Sequence, residues 1–516
     1  MTRVVFQPSM TRFLLFLLVI KAFILIGIIL YAGIELSPDE AQYWTWSQAL
    51  DWGYYSKPPG IAWQIWLGTQ LFGQTEWGVR SLSLLLAMGQ AWIMYHLALQ
   101  AGLLTRTAFW CSLLMAFCPL GILGSLFAIT DVGFLFCWTG ACLTVVSALD
   151  RKQAPNPLWV GSWIMGGALF KWPIYSFWIF FCFCRYWFFP TQKKGSVLAG
   201  VLLSFIGLLP SLWWNSSHHW ATFRHVFATL QGGSGHRAAG NLAEFIGSQA
   251  LLLSPVLFIL LLFGLWQWWR QKEQLTPSLF FCGFVTGTSL GFLTLLSLFQ
   301  KVQGNWAIFA YPTGLIVLGW YAFQQSSTFS QWAKGGLGLS LVLMLAFVFY
   351  PSFYSVPHLA SYAPPYRFNP FKHASGWSAL TDVLSKHGYD PNQHFLFSDK
   401  YQTTSILSFY GPGQKRAYFL NLMGNRHNQF SYWPSLQEER RGQVGYFVWI
   451  ENMPHLGQDW QAKLIFYQNV LQRYFEKVKF LEFAPLVYEG SAMAKGALIF
   501  RCQACKDLQP AHSDRF

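Results

Sequence analysis

The sequence predicts a multi-pass α-helical membrane protein of about eleven spans, with a water-soluble α/β or α+β domain at its C-terminal end. Three observations support this fold class. The 516-residue chain is 53% hydrophobic and only 11% charged, whereas a soluble domain carries about 25% charged residues. Apolar stretches of membrane-crossing length recur along it. Charged residues are sparse up to residue 351 and denser beyond it, so we predict a membrane domain over 1–354 and a soluble domain over 355–516.

The membrane domain contains apolar stretches that are long enough to cross a bilayer, for which about 20 residues are needed. Two of them flank Pro173 and are short, so they could form a single kinked or re-entrant element. The first lacks a small-residue cleavage site and is expected to anchor the chain rather than to be removed. The predicted spans are 13–34, 77–99, 107–126, 130–149, 158–170, 173–189, 196–214, 250–269, 278–299, 305–323 and 334–354.

The net charge of +14 raises the question of a nucleic-acid partner. The basic residues lie mostly between apolar spans, where anionic lipid headgroups and membrane topology account for them better. We therefore predict membrane lipids as partners and no nucleic acid.

Loop charges indicate how the chain is oriented. If the N-terminus is cytoplasmic, the cytoplasmic side receives most of the basic residues, and an odd number of spans places the C-terminal domain and nearly all loop acids outside. Any chemistry is then expected to face outward. The cytoplasmic basic residues would be Arg3, Arg12, Arg106, Arg151, Lys152, Arg185, Lys193, Lys194, Arg270, Lys272 and Lys334, and the outer ones Lys57, Arg80, Lys171, Arg224, Arg237 and Lys301.

The first outer loop, 35–76, is too long and too aromatic for a simple connector. A capping signal at Ser37 precedes the stretch 38–50, and 58–73 follows two prolines at a helix start. Both stretches are predicted to be short amphipathic helices at the membrane interface, with Trp and Tyr at headgroup depth. A second outer loop, 215–249, includes a glycine-rich stretch at 232–240.

The C-terminal tail alternates strand-like runs (HFLFSD, GYFVWI, PLVYEG, ALIFRC) with helix-like stretches (GWSALTDVLSKHG, WQAKLIFYQNVLQRYFEKV), which predicts an α/β or α+β domain. Cys502 and Cys505 form a lone CxxC there. An exported compartment is oxidising, so we predict a disulfide rather than a redox centre, and a zinc site would lack its second cysteine pair.

Two acids follow the first span directly. On a helix, Asp39 would share a face with Tyr43 and Trp46, while Glu40 would point about a quarter-turn away. A carboxylate flanked by aromatic rings suits a sugar, because the rings stack on C–H surfaces while the acid removes a hydroxyl proton. The alternative is that Asp39 is a helix cap and the aromatic residues form an interfacial belt.

Lys57 lies between two tyrosines, Tyr54 and Tyr55, and two prolines that fix the backbone. An ammonium with a defined direction suits a phosphate, although a snorkelling lysine would give the same pattern. Asp131 begins the fourth span and would lie at the membrane depth of Asp39, unless it is only an N-cap.

Further polar residues lie between apolar runs, namely Lys171, Lys301 and Asn305. Charged and polar groups at membrane depth tend to mark substrate sites, but these residues could also lie in the water of the headgroup layer. His218 and His219 are adjacent and cannot share a helix face. One of them, together with Asp39 or Glu40, could bind a divalent ion, but an interfacial histidine is the more common case. We assign no residue as a metal ligand and keep a divalent ion as an optional cofactor.

Five segments together resemble the successive landmarks of the GT-C membrane glycosyltransferases. They are most similar to the branch that holds the aminoarabinose and galacturonic acid transferases of lipid A, which is related to the protein O-mannosyltransferases. The segments run in order from Glu35 to about Pro434: ELSPDEAQYWTWSQALDWGYYSKPPGIAW, FAITDVGFLFCW, WWNSSHHWATFRH, QKVQGNWAIFAYP and NRHNQFSYWP.

The resemblance implies an enzyme that uses a polyprenyl-phosphate sugar as donor. Asp39 would be the catalytic or acceptor-orienting carboxylate, Asp131 a second acid and Lys57 a ligand of the donor phosphate. Members that transfer aminoarabinose usually have an acid where this chain has Ser56, which argues against that sugar and that type of metal site. The remaining substrate-binding candidates are Glu40, Tyr43, Trp46, Tyr55, Lys171, His218, His219, Arg224, Lys301 and Asn305.

The expected function is transfer of one sugar from a polyprenyl phosphate to a lipid or glycan acceptor, with lipid A or lipopolysaccharide core favoured. The reaction would take place at the outer face of the bacterial inner membrane. Two alternatives stay open: a protein O-glycosyltransferase, and a non-catalytic flippase or transporter of lipid-linked sugars. A transporter would favour internal repeats and a polar site at the membrane midplane, and the sequence shows no repeat.

Overall fold

A computed structural model describes residues 8–190, 195–230, 240–351, 362, 365–452, 460–489 and 492–506. Several sequence predictions concern residues outside this part of the chain. They are the topology assignments of Arg3, Lys193, Lys194 and Arg237, the domain boundary after residue 354, and all but the last residue of the glycine-rich stretch 232–240.

The first part of the chain is helical throughout. Its helices are α1 Pro8–Tyr31, α2 Pro38–Ser47, α3 Gly60–Phe72, α4 Glu76–Gln100, α5 Thr105–Phe117, α6 Pro119–Leu126, α7 Thr130–Asp150, α8 Pro157–Ala168, α9 Phe177–Phe188, α10 Gly195–Phe205, α11 Leu209–Ser217, α12 Ala221–Leu230, α13 Leu242–Leu253, α14 Pro255–Arg270, α15 Pro277–Leu296, α16 Tyr311–Trp320 and α17 Ser327–Phe349.

Within the described residues, seven helices are long and apolar enough to cross a membrane, and two bent pairs, α5 with α6 and α13 with α14, raise the number to nine. The two other predicted spans correspond to α8 and α9. Each has 12 residues, which makes it about 18 Å long and too short to cross the roughly 30 Å hydrocarbon core alone. The multi-pass fold class is confirmed, with seven candidate spans, or up to nine if each bent pair counts as one, among the described residues, against the predicted eleven.

A buried lysine supports the break between α5 and α6, where the axes bend by 53°. Pro119 cannot donate a backbone hydrogen bond, so carbonyl groups near the break lose helical partners. The Lys21 ammonium of α1 donates to the carbonyl of Ala116 at 2.6 Å and to the Ser125 hydroxyl at 2.9 Å. A charge in the middle of the first span therefore has a structural explanation.

The predicted short helices of the first outer loop exist as α2 and α3. Helix α2 does not lie in the headgroup layer, however, because eight of its ten residues are buried. Its Trp44 ring meets Phe409 of the C-terminal domain edge-on, with 4.9 Å between ring centroids. The interfacial prediction for α2 is wrong, since the C-terminal domain covers the helix.

The C-terminal domain contains a mixed sheet of five strands among the described residues, in the order β2-β1-β3-β5-β4. The first three strands are parallel, and β3, β5 and β4 are antiparallel. This arrangement confirms the predicted alternation of helices and strands. The elements are α18 Ala379–Lys386, β1 His394–Ser398, α19 Tyr401–Tyr410, β2 Tyr418–Phe419, α20 Leu436–Glu439, β3 Val444–Asn452, α21 Trp460–Tyr474, β4 Phe475–Glu489 and β5 Ala492–Cys505.

Hydrogen bonds dock this domain on the exit of the first span. The buried Glu35 carboxylate accepts from the backbone N–H groups of Trp377 and Ser378 at 2.5 and 2.9 Å. The Tyr410 hydroxyl donates to Glu76 at 2.9 Å and accepts from the N–H of Leu36 at 2.7 Å. These bonds hold α2 between the membrane helices and the sheet.

The structure contains no disulfide between Cys502 and Cys505, which lie three residues apart on strand β5. The predicted disulfide is therefore not confirmed.

Candidate active site

The N-terminus of α2 carries Asp39 at the end of the membrane helices that the C-terminal domain covers. Ser37 caps the helix, and its hydroxyl accepts from the N–H of Glu40 at 3.3 Å. One side of Asp39 is exposed to solvent, but the surrounding protein removes much of its water and raises its pKa. Lys57 and, more weakly, Arg426 counteract this rise. A carboxyl of raised pKa is a better proton acceptor than an ordinary one.

Glu40 faces the opposite way and holds the site together. Its carboxylate is fully buried and forms a two-pronged ion pair with Arg80 of α4 at 2.8 and 2.9 Å. It also accepts from the N–H of Ala128, just before α7, at 3.0 Å. Because its oxygens are occupied, we correct its interpretation as a substrate ligand: Glu40 positions α2 against α4 and α7.

The loop that carries Lys57 is fixed from two sides. The N–H of Tyr54 donates to the Lys57 carbonyl at 3.2 Å, and the Thr222 hydroxyl of α12 donates to the Tyr54 carbonyl at 2.9 Å. At the other end, the N–H of Gly60 donates to the Leu169 carbonyl at 2.7 Å. A Cβ atom at Gly60 would lie 2.6 Å from the same oxygen, so only glycine permits this contact.

The acid and the lysine of two other connections form an ion pair. The Lys171 ammonium, which follows α8, lies 2.8 Å from Asp131 at the start of α7, and both side chains are largely buried. The side-chain amide of Asn305 approaches the same Asp131 oxygen at 3.5 Å. Three of the predicted residues therefore converge on one point.

Lys57 completes this cluster. Burial and the nearby Lys171 ammonium lower its pKa, while Asp131 and Asp39 act in the opposite direction. Its ammonium makes no side-chain hydrogen bond to any residue that the structure describes, so it can bind an anion. The phenol of Tyr43 lies beside both carboxylates, and burial raises its pKa well above the ordinary value, so it stays protonated.

The C-terminal domain contributes Arg426, a residue that the sequence did not indicate as part of the site. Arg426 interacts electrostatically with Asp39, donates to the Tyr401 hydroxyl at 3.3 Å and lies 3.2 Å from His225 Nδ1. Burial, Arg426 and Lys57 lower the pKa of His225 to about 4, so this imidazole is neutral and accepts from the guanidinium. The only signal was the motif NRHNQFSYWP, in which no single residue stood out.

An aromatic wall borders the cluster. The Tyr55 ring lies 4.9 Å from His225 and 6.0 Å from Tyr432 of the C-terminal domain. Its buried hydroxyl has no hydrogen-bond partner within the described chain. His218 stacks on Trp214 at 4.0 Å and bonds to the Trp214 carbonyl through Nδ1, so it belongs to this wall.

The remaining predicted residues take different places. His219 and Arg224 lie exposed on the α11–α12 segment, and Arg224 interacts electrostatically with Tyr432. Trp46 is fully buried and stacks on Tyr54 at 4.7 Å, which makes it core rather than a sugar platform. Lys301 is exposed and lies 4.0 Å from Glu244, and its assignment as a substrate ligand stays a prediction.

A divalent ion held by a histidine together with Asp39 or Glu40 stays a prediction. Glu40 is paired with Arg80, and His218 bonds to the Trp214 carbonyl through Nδ1. Over the described ranges, no group of three or more His, Cys, Asp or Glu side chains could hold a metal.

The chain is similar to one known protein family, to a lipid A transferase and to a solved membrane protein structure. Residues 56–214 match the family described as dolichyl-phosphate-mannose-protein mannosyltransferase. The lipid A galacturonosyltransferase RgtD of Rhizobium johnstonii is 27% identical over 66% of this chain and 71% of its own. The crystal structure of ArnT from Cupriavidus metallidurans bound to undecaprenyl phosphate superposes with a TM-score of 0.62 at 13% identity, over 94% of this chain and 97% of ArnT.

The chain has the fold of ArnT and is similar in sequence to membrane glycosyltransferases, as expected for a GT-C protein. ArnT in its apo state gives the same fold, with a TM-score of 0.59 over 94% of this chain and 97% of ArnT at 12% identity. The matched family and the relative RgtD are described as sugar transferases, which favours an enzyme over the non-catalytic transporter alternative. The matched family segment contains the Lys57 loop, Asp131, Lys171 and the start of the aromatic wall.

Proposed function

We propose that this GT-C enzyme transfers one sugar from a polyprenyl phosphate to a hydroxyl or amine of a lipid or glycan acceptor, with lipid A or lipopolysaccharide core as the favoured acceptor. The observation that carries the proposal is the convergence of Asp39, Lys57 and the Asp131–Lys171 pair at one end of the membrane helices. The name of the relative RgtD supports a lipid A acceptor, and the ligand of ArnT supports a polyprenyl phosphate.

Lys57 is the proposed partner of the donor phosphate. Its ammonium has no competing hydrogen bond among the described residues, and the second ammonium nearby, at Lys171, is already neutralised by Asp131. When the bond between the sugar and the phosphate oxygen breaks, negative charge accumulates on the phosphate. A fixed positive charge at that point stabilises the transition state by a few kcal/mol.

Asp39 is the proposed general base. It would take the proton of the acceptor hydroxyl as that oxygen attacks the anomeric carbon from the side opposite the phosphate, which inverts the configuration. Its raised pKa improves the carboxylate as an acceptor. The Asp131–Lys171 pair and Asn305 would orient the sugar hydroxyl groups by hydrogen bonding.

Location follows from the loop charges. With a cytoplasmic N-terminus, the cluster lies on the connections that the positive-inside rule assigns to the outer side. We therefore place the reaction at the outer face of the bacterial inner membrane.

The test is Asp39→Asn in the purified full chain. We expect transfer of sugar from a polyprenyl-phosphate donor to lipid A to fall by roughly 10²-fold or more, as for other positioned general bases, while the yield of folded, membrane-inserted protein is unchanged. Asp382→Asn, at an exposed acid of α18, is the matched control and should retain activity. Full activity of Asp39→Asn, measured by mass spectrometry of the modified lipid A, would exclude the assigned role.

The family match favours one alternative acceptor, because its description names a protein mannosyltransferase. A protein acceptor would give glycosylated peptides in the membrane and exported fractions of cells that express the chain. Comparative mass spectrometry of lipopolysaccharide and of exported proteins, with and without the gene, separates the two acceptors.

A further inference from the structure

A cavity of about 650 Å³ opens in the C-terminal domain beside the candidate active site. This volume lies within the range of roughly 300–1,000 Å³ that is typical of small-molecule sites. The cavity lies beyond the carboxyl ends of β1, β2 and β3, and from β1 the parallel pairing proceeds to β2 on one side and β3 on the other. Ligands of open α/β sheets bind at such a switch point.

Among the charged residues that line the cavity, basic ones outnumber acidic ones. Lys372, Lys400, Arg426, Lys463 and Lys495 contribute positive charge, against only two acids, Asp399 and Glu451. Lys400 is paired with Glu451 at 3.2 Å, which leaves an excess of positive charge for a ligand. An anion is therefore favoured in this cavity.

The helix that follows β1 adds to this preference. Helix α19 begins at Tyr401 directly on the cavity wall, and no side chain caps its N-terminus. Backbone N–H groups of a first helical turn attract anions because they carry the positive end of the helix dipole.

A second feature indicates a ligand with hydroxyl groups. Asp399 lines the cavity and is only 1% exposed. Its Oδ2 accepts from the Tyr467 hydroxyl at 2.8 Å, while its Oδ1 has no hydrogen-bond partner within the described ranges. A buried carboxylate oxygen without a donor is costly, and a sugar hydroxyl would satisfy it.

Aromatic rings supply the apolar surface that a sugar also needs. Trp449 lines the cavity, with the ammonium groups of Lys400 and Lys463 at 5.4 and 6.0 Å from its ring centroid. Tyr401 lies on the wall that the cavity shares with the active site, where its hydroxyl accepts from Arg426. Aromatic rings, neighbouring cations and one buried carboxylate together suit a saccharide that carries an anionic group.

We propose that this cavity binds the phosphorylated saccharide headgroup of the acceptor and delivers its hydroxyl to Asp39. The inference rests on the proposed function, since it assigns the acceptor subsite of that same reaction. Arg426 connects the two places, because it lines the cavity and also interacts with Asp39. Pro38, the neighbour of Asp39, forms part of the cavity wall.

The experiment compares Lys463→Glu with Lys477→Glu in the full chain. Both lysines are exposed in the same domain, but only Lys463 lines the cavity. Calorimetric titration of the detergent-purified protein with a phosphorylated glucosamine disaccharide should give a Kd at least 10-fold weaker for Lys463→Glu, and a Kd within twofold of wild type for Lys477→Glu. The unphosphorylated disaccharide should bind the wild type at least 10-fold more weakly.

A second variant tests the sugar part of the ligand. Asp399→Asn should weaken binding of the phosphorylated disaccharide at least threefold and leave the affinity for inorganic phosphate unchanged. In the transfer assay, Lys463→Glu should raise the KM for lipid A with little change in kcat.

Equal affinities of the two charge-reversed variants would overturn the inference, as would equal binding of both disaccharides to the wild type. A wild type that transfers sugar but does not bind the probe would refute the cavity assignment and leave the proposed function intact. A wild type that binds the probe but shows no transfer to any lipid would support the cavity and refute the proposed function.

Discussion

Asp39 and Lys57 both lie where the protein disfavours charge, so their pKa values approach each other from opposite sides. Burial raises the pKa of Asp39 from the usual value of about 4. Burial and Lys171 lower the pKa of Lys57 from its usual value of about 10.4. The proposed reaction needs Asp39 deprotonated and Lys57 protonated.

We predict a bell-shaped dependence of kcat/KM on pH. Activity is lost as the pH falls through the raised pKa of Asp39, because the base becomes protonated, and as the pH rises through the lowered pKa of Lys57, because the phosphate ligand loses its charge. In Lys57→Arg the alkaline limb should move up by more than one pH unit, since a guanidinium stays charged. An alkaline limb that does not move in this variant would assign that limb to another group.

At the scale of secondary-structure elements, the site is positioned by contacts between helices and loops that lie outside the substrate-binding cluster. The Glu40–Arg80 pair joins α2 to α4, and both side chains are at most 1% exposed. Gly60 joins the Lys57 loop to the end of α8. Through these contacts, the membrane helices set the direction of Asp39 and Lys57.

We predict that Arg80→Met destabilises the protein by about 3–5 kcal/mol, because it leaves the Glu40 carboxylate buried and unpaired. The double variant Glu40→Gln, Arg80→Met removes that charge and should recover about 1–3 kcal/mol of the loss. Equilibrium unfolding by SDS in mixed micelles measures both values. A double variant that is less stable than Arg80→Met would contradict the pairing.

Gly60→Ala tests the loop contact. The added methyl group would meet the Leu169 oxygen at 2.6 Å and push the Lys57 loop away. We expect kcat/KM to fall by roughly 10-fold or more, because displacements of about 1 Å are costly in catalysis. The control is Gly247→Ala, whose added Cβ atom meets nothing within 4 Å and should leave kinetics unchanged.

Sequence reasoning could bring Asp39, Lys57 and Asp131 together because they are rare charges at the ends of apolar spans. It could not assign Glu40, since the partner Arg80 lies forty residues away in a span whose rotation cannot be read from composition. It also placed α2 at the headgroups, because an amphipathic pattern does not reveal whether lipid or another domain covers it. Arg426 was missed because it lies in a polar, irregular segment.

At the scale of the whole molecule, the C-terminal domain contributes residues to the candidate active site. It covers α2, contributes Tyr432 to the aromatic wall and brings Arg426 to Asp39. The docking bonds at Glu35 and Tyr410 fix this arrangement.

We predict that Arg426→Gln moves the acid limb of the pH profile to higher pH, because Arg426 lowers the pKa of Asp39. A role limited to folding would reduce activity without moving that limb. Arg473→Gln, at an exposed arginine of α21, is the control. The measurement is kcat/KM across the pH range in which the proteins remain folded.

The position of Arg426 near Asp39 has a consequence for the order in which the site is assembled during synthesis. Ribosomes deliver the membrane helices first, so Asp39, Lys57 and Asp131 are inserted well before residue 426 has been translated. The half-finished chain therefore lacks one of its charges and the cover over its reactive carboxylate. Under the proposed function, sugar transfer would require that the C-terminal domain has been synthesised and has folded onto α2.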